Sequence, residues 1–269
     1  MSKKRVVITG LSAISPLGCS HTESWENLIA GKSGIGPLTN FDASEYPTRI
    51  AAEVGGFSAE AFGISVKQVK RMDRFTQFAV ACSTMLMKDS GYVIDDSNAD
   101  KVGVYLGVGL GGLQTIEDFH TKLMQSGPNK ISPFMIPMLI SNMAPGQIAI
   151  FTGAKGANII LTSACASSLH AIGYAYTDIL LGRSKSAICG GSEATVTPMG
   201  ISGFAALKAL STRNDQPQAA SRPLERARDG FVMGGGAGLL MLEPVEEARG
   251  SGAEDCAQMA WLGWFEPLT

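Results

Sequence analysis

The sequence has no uninterrupted apolar run of about 18 residues, the length a membrane-crossing helix needs, so no membrane insertion is expected. It has no excess of either charge. Its 22 Lys and Arg stand against 24 Asp and Glu, and the net charge of −2 points to neither nucleic acid nor a membrane surface. Cys-x-x-Cys pairs are absent among the five cysteines, and no signal peptide is recognised. Both features fit a reducing compartment, and a cytoplasmic location is expected. Histidine is scarce, with three in 269 residues, and neither a metal nor an organic cofactor is expected. Glycine is abundant at 32 residues, which implies tight turns and close backbone packing. Hydrophobic residues make up 45% and charged residues 17%, a balance for a globular chain with a large buried core. The length allows one large domain or two small ones.

Strand and helix signals alternate along the chain. Arg5 to Thr9 reads as a buried strand ended by Gly10, and a helix runs from an N-cap at Thr22 to about Ala30. Residues 31–57 are rich in Gly, Pro, Asp and Ser and read as a surface excursion. Two helical patterns follow. The first places Lys67, Lys70 and Arg71 at i, i+3 and i+4 on one face. The second, from about Asp73 to Lys88, buries Phe75, Phe78, Ala79, Cys82, Met85 and Leu86. Residues 101–107 read as a strand, followed by G-x-G-x-x-G from Gly107 to Gly112. That pattern is a dinucleotide fingerprint only with an acidic residue closing a second strand about twenty residues on. The chain reads I-S-P-F-M there, and dinucleotide binding is rejected. A helix from Leu113 to Met124 comes next. An extended, Pro-punctuated segment from Ser132 to Pro137 and an apolar helix from Leu139 to Phe151 follow it. Nearer the C-terminus, Pro198 opens a helix that continues to Leu210 and carries Lys208. A polar loop follows to Asp229, then a glycine-dense turn at Gly230 to Gly238. A strand from Leu239 to Glu243 and a short helix from Pro244 come last.

The informative stretch is Ala157 to Glu193. Asn158 to Thr162 reads as a buried strand, Ala166 to Leu181 as a helix, and Ser186 to Cys189 as the start of another strand. In the helix, Leu169, Ile172, Gly173, Tyr176, Ile179 and Leu180 share one face. Cys165 sits at the corner between the first strand and the helix. Backbone N–H groups and the positive end of the helix dipole meet there, which favours a thiolate over a thiol. An isolated cysteine is more often buried packing. The corner position and the small neighbours Ser163, Ala164, Ala166, Ser167 and Ser168 favour a nucleophile instead. His170 lies five residues on, about 140° around the helix axis, so it diverges from Cys165 and reads as structural. His21 reads as a solvent-exposed loop residue and His120 as a helix-surface residue.

T-S-A-C-A-S-S-L-H-A-I-G around Cys165 is followed in order by C-G-G-S-E, A-L-S-T-R-N and R-D-G-F-V-M-G. Together with V-V-I-T-G-L-S-A-I-S-P-L-G near the start and I-S-P-F-M-I-P in the middle, these motifs resemble the β-ketoacyl-[acyl carrier protein] synthases. The subgroup is the type II elongation enzymes of bacterial fatty-acid synthesis, and the resemblance covers about residues 4 to 250. It implies an α/β, thiolase-like fold. Residues 1–250 would form the N-terminal half, a mixed five-stranded sheet covered by helices. Residues 251–269, with Trp261, Trp264 and Phe265, would form a divergent tail, and the second half would be absent.

The resemblance further implies that Cys165 takes an acyl chain and condenses it with malonyl-carrier, releasing carbon dioxide. Ile116 would line the acyl pocket. Lys67, Lys70, Arg71 and Lys208 would dock the acyl carrier protein, and the family implies a homodimer. Two histidines, a lysine and one oxyanion amide come from the family's second half. His21, His120 and His170 match none of those roles, so this chain alone is expected to acylate Cys165 at most. Gly235 stands where the family usually has an acidic residue. The rival readings are a non-catalytic, carrier-binding pseudo-enzyme and a Cys-dependent acyltransferase or thioester hydrolase. Acyl chain length and oligomeric state stay open.

Overall fold

Strand β4 (Val102–Gly107) is buried along its whole length, and its alternation sets where the helical layers lie. Val102, Val104 and Leu106 face one layer, while Tyr105 faces the other. Strand β6 (Ser186–Glu193) repeats the rule, with Ile188 on the first face and Ala187 and Cys189 on the second. Strands buried on both faces are what a helix-covered sheet requires. The structure is a computed structural model that describes residues 5–251 and 257–259.

The remaining elements in chain order are β1 (Val6–Ile14), α1 (His21–Ile29), β2 (Gly36–Pro37), β3 (Ile50–Ala51), α2 (Val66–Val69) and α3 (Arg74–Ser90). After β4 come α4 (Leu113–Ser126), α5 (Met135–Leu139), α6 (Met143–Thr152), β5 (Asn158–Leu161) and α7 (Ser167–Leu180). After β6 come α8 (Pro198–Ala206), β7 (Gly236–Pro244), α9 (Val245–Ser251) and β8 (Ala257–Met259). The main sheet has the order β5-β4-β6-β7-β1-β8. β4 pairs in parallel with β5 and β6, and the β6–β7, β7–β1 and β1–β8 pairs are antiparallel. The sheet is mixed, as expected, but has six strands rather than five. The sixth comes from the segment read as a divergent tail. Ala257–Met259 pairs with Ile8, Val7 and Val6, and Arg5 Nε donates to Gln258 Oε1 at 3.0 Å. Cys256, Trp261, Trp264 and Phe265 lie outside the described residues.

Helix α3 covers one face of the sheet. Phe75, Phe78, Ala79, Cys82 and Leu86 are buried as the periodicity predicts, while Met85 is only partly buried. Asp73 caps the helix by accepting from Phe75 N, and Gly91 ends it in the left-handed region. Helix α7 covers the other face: of the expected stripe, Gly173 and Ile179 are buried and Ile172, Tyr176 and Leu180 pack partly buried against the same cluster. Ala171, Ala175 and Ile179, spaced by four, meet Tyr105, Ala187 and Cys189. Leu169, assigned to the buried face, is 67% exposed. The C-terminal end of α7 is tied to β4 through a buried polar cluster. The Tyr105 hydroxyl donates to Asp178 at 2.8 Å and lies 2.9 Å from the Ser184 hydroxyl, while Arg183 reaches Asp178 at 3.3 Å.

Several boundaries move. β1 continues through Gly10 to Ile14, because a bulge between Ile8 and Gly10 absorbs the break. α1 is capped by Ser20, which accepts from Glu23 N, and not by Thr22. The expected surface excursion at 31–57 carries the small β2–β3 pair and buries Thr48, Ile50 and Ala51. Pro137 lies inside α5 rather than in an extended segment, within the first turn where its missing N–H has no helical role. α8 ends at Ala206, so Lys208 lies beyond it.

Candidate active site

Cys165 occupies a sharp corner between β5 and α7. Ala164, immediately before it, has φ 49°, in the left-handed region that costs a non-glycine residue energy. The corner is cross-braced. Ser163 N donates to Ser167 Oγ at 2.9 Å, Ser167 Oγ donates to the Ala164 carbonyl at 2.7 Å, and Ala166 N donates to the Ser163 carbonyl at 3.1 Å. Thr162 Oγ1 donates to the Val108 carbonyl at 2.8 Å and holds the end of β5 against the turn after β4. A strained strand-to-helix turn that presents a side chain is a recurrent way to expose a nucleophile.

Two glycines let α7 start this close to the sheet. A Cβ on Gly107 would stand 2.2 Å from the Ser167 carbonyl carbon, and one on Gly191 would stand 1.9 Å from Ser168 Oγ. The first turn of α7 therefore rests directly on β4 and β6. Above it opens a cleft of ≈ 650 Å³, lined by Cys165, Gly109, Leu110, Glu193, Thr195 and Phe204 among others.

Among the described cysteines, Cys165 is the exposed one, Cys82 and Cys189 are buried, and Cys19 is partly buried. Burial pushes the Cys82 thiol up to about 12 and the Cys189 thiol higher still. Burial also raises Cys19, and the nearby Glu23 adds to it.

The histidines do not converge on the cleft. His170 Nδ1 lies 2.7 Å from Ser163 Oγ, which gives it the structural role expected. His120 is exposed on α4, also as expected. His21 departs from expectation. It is partly buried, with Nε2 3.7 Å from Asp89 Oδ1, because α1 packs against β1. Ile116 is partly buried on α4 and is not among the residues lining the cleft.

The four basic residues are exposed, and none makes an ion pair with a described residue. Of Lys67, Lys70 and Arg71, only Lys67 lies within a helix. α2 is a single turn holding Lys67, Lys70 is its C-cap, and Arg71 follows with its guanidinium 4.1 Å from the Phe134 ring centroid. Lys208, with φ 55°, lines a separate cavity of about 730 Å³ with Arg222, Arg228 and Phe231. Sequence reading missed the two arginines, whose basic character is hidden in a polar loop.

Gly235 N donates to the Ala52 carbonyl at 3.3 Å, and Gly235 lines a third cavity of about 430 Å³ with Arg74, Asn40 and Phe78. The Arg74 guanidinium lies 4.7 Å from the Phe57 ring centroid and 5.1 Å from that of Phe78.

The G-x-G-x-x-G turn has a physical explanation. The N–H groups of Gly109 and Leu110 each donate to Glu193 Oε2 at 2.8 Å, and that of Gly111 donates to Oε1 at 3.3 Å. A carboxylate of the chain itself occupies the donors that a nucleotide phosphate would need. Glu193 is the site residue that sequence reasoning missed. Its only sequence signal was its place in C-G-G-S-E.

Residues 3–248 match the family model described as β-ketoacyl synthase, N-terminal domain. A 3-oxoacyl-[acyl-carrier-protein] synthase 2 of Synechocystis is 49% identical over 96% of this chain and 62% of its own length. The solved structure of a β-ketoacyl synthase from Burkholderia phymatum superposes with a TM-score of 0.84 at 33% identity, over 95% of this chain and 62% of that one. The AntDE:AntF structure, a type II PKS acyl-carrier protein in complex with its ketosynthase, gives a TM-score of 0.81 at 28% identity, over 96% of this chain and 62% of that one. The chain thus spans about 62% of the length of these relatives.

Proposed function

This chain belongs to the β-ketoacyl synthase family, and on that premise we propose that it carries the acyl-accepting site of a 3-oxoacyl-[acyl carrier protein] synthase of fatty-acid elongation. The observation that carries the reading is Cys165, exposed at a strained strand-to-helix corner beside a cleft of ≈ 650 Å³. The Cys165 sulfur attacks the thioester carbonyl of an acyl-carrier. A carbon–sulfur bond to Cys165 forms, the bond to the carrier sulfur breaks, and the Cys165 proton leaves with the carrier thiol. Backbone N–H groups at the start of α7 are proposed to stabilise the developing oxyanion. In the condensation, malonyl-carrier loses carbon dioxide. The carbanion equivalent attacks the acyl carbonyl, and the electron pair returns to the Cys165 sulfur.

None of His21, His120 and His170 lines the cleft. Acyl transfer is therefore the step that the described residues supply themselves. Ile116 is proposed to bound the acyl chain deeper along α4. Lys67, Lys70, Arg71 and Lys208 are proposed to meet an acidic acyl carrier protein, with Arg222 and Arg228 beside Lys208 adding to that field. A homodimer in the cytoplasm completes the reading, with residues 1–250 as the N-terminal half of the synthase. Among the described residues, no helix is long and apolar enough to cross a membrane.

The test is incubation with acyl-carrier followed by intact-mass analysis and peptide mapping. One acyl group on Cys165 is expected. No adduct, or an adduct on another cysteine, refutes the assignment. Carbon dioxide release from malonyl-carrier separates condensation from acyl transfer alone. Slow thioester loss without a new carbon–carbon bond supports the hydrolase reading. Carrier binding without acylation supports the pseudo-enzyme, which the histidine-free cleft favours as the second reading.

A further inference from the structure

Three consecutive N–H groups of the turn after β4 depend on one side chain. Glu193 accepts from Gly109, Leu110 and Gly111, which form an anion-binding nest filled from within the molecule. Glu193 is the last residue of β6, and its backbone is in register with Gly236 of β7. The carboxylate therefore ties a glycine-rich turn to the middle of the sheet. Burial pushes the Glu193 carboxyl up, and the N–H donors of Leu110, Gly109, Gly111 and Ala194 oppose that shift. The tie stands at the cleft, since Gly109, Leu110 and Glu193 line the same cavity as Cys165. The Leu110 side chain is 54% exposed, so packing does little to hold it.

We propose that Glu193 is a positioning residue that holds the 109–111 turn, and with it Leu110, as the apolar wall along which the chain on Cys165 lies. The proposal rests on the reading of Cys165 as an acyl acceptor. Without the carboxylate, three amide N–H groups face the cleft unpaired, draw water into it and release Leu110. The wall then no longer favours a long alkyl chain over a short one. Access of a small reagent to Cys165 is untouched, because the bracing at Ser163, Ala164 and Ser167 is independent of Glu193.

The experiment compares alkylation of Cys165 by iodoacetamide and by N-dodecyl iodoacetamide, read by peptide mapping. The natural chain should prefer the long reagent. Glu193→Ala should lower the long-to-short rate ratio about tenfold, the scale on which apolar pockets discriminate, with the iodoacetamide rate unchanged. Glu193→Gln keeps an oxygen acceptor and should restore most of the ratio. Leu110→Ala, which removes the wall directly, should reproduce the loss and serves as the test if Glu193→Ala does not fold. An unchanged ratio in Glu193→Ala or Leu110→Ala overturns the proposal, as does an equal fall of both rates in a folded Glu193→Ala variant. Acyl transfer from acyl-carrier is measured on the natural chain in parallel. Its failure while the ratio still falls in Glu193→Ala refutes the acyl-acceptor reading and leaves the positioning role standing.

Discussion

Burial sorts the side chains of this molecule by reactivity. Cys82 and Cys189 are fully buried, with thiols pushed up by desolvation, and Cys19 is raised as well. A thiol-directed reagent at limiting concentration should modify Cys165 first. Equal labelling of Cys19, Cys82 and Cys189 in a peptide map would sink that expectation. Glu243 shows the same physics in a carboxylate. It is 2% exposed on β7, and burial raises its pKa, with Thr9 Oγ1 donating to it against that shift and Glu247 reinforcing it. The folded state binds this proton more tightly than the unfolded one. The group's contribution is therefore fully present below the unfolded carboxyl value and is lost as pH rises through the folded value. Glu243→Gln should leave stability less dependent on pH above about 4, the unfolded carboxyl range, and should raise it at neutral pH. Urea midpoints measured across that range test this, and parallel curves for the two proteins would contradict it.

Elements succeed or fail here through close approach. α7 buries small residues, Ala171 and Ala175, and one large one, Ile179, because its axis lies tight on β4 and β6. Ile179→Ala should cost about 2–5 kcal/mol in chemical unfolding, the range for large-to-small core changes. Leu169→Ser should fall within about 0.5 kcal/mol of no effect, as exposed sites do. A comparable cost at both positions would mean that Leu169 packs as the sequence-based face places it. Gly107→Ala should lift the first turn of α7, since its Cβ would overlap the Ser167 backbone rather than a movable side chain. Loss of selective Cys165 alkylation is the readout, and retention of normal reactivity and stability would show that the close approach is not required. The periodicity of α3 was legible because its buried stripe is large and apolar. That of α7 was legible at Gly173 and Ile179 but not at Ala171 and Ala175, because alanine carries little hydrophobic signal, and exposed Leu169 carries much.

At the scale of the whole molecule, charge and apolar surface are distributed unevenly. Lys67, Lys70, Arg71 and Lys208 are exposed without ion pairs among the described residues, so their field is available to a partner. Changing all four to Glu should abolish carrier binding, and salt should weaken binding by the natural chain, because screening shortens to about 8 Å at physiological ionic strength. Carrier affinity unaltered by the fourfold change, measured by titration calorimetry, would remove the patch from the account. Large apolar side chains such as Trp25, Ile29, Ile150, Leu169 and Leu207 are each more than 60% exposed. A polypeptide of these 269 residues should self-associate, and a monomer at high concentration in sedimentation velocity would count against this.

The sequence by itself determined the α/β class, the family resemblance and the corner at Cys165. Each is written in local order: β-branched runs, helical spacing and a motif whose residues are neighbours in the chain. It also determined that Cys82 packs in the core, because its helix carries a strong apolar period. Only the tertiary structure decided the sixth strand, where Ala257–Met259 pairs with residues about 250 positions earlier along the chain. It also decided that Val66–Val69 after Ser65 form a single turn, with Lys70 as its C-cap and Arg71 beyond it. The largest difference is Glu193. Its 82- to 84-residue separation from the glycines it holds leaves no local trace. A backbone nest has no side-chain signature, and only the crossing from β4 to β6 brings the carboxylate to the three N–H groups that need it.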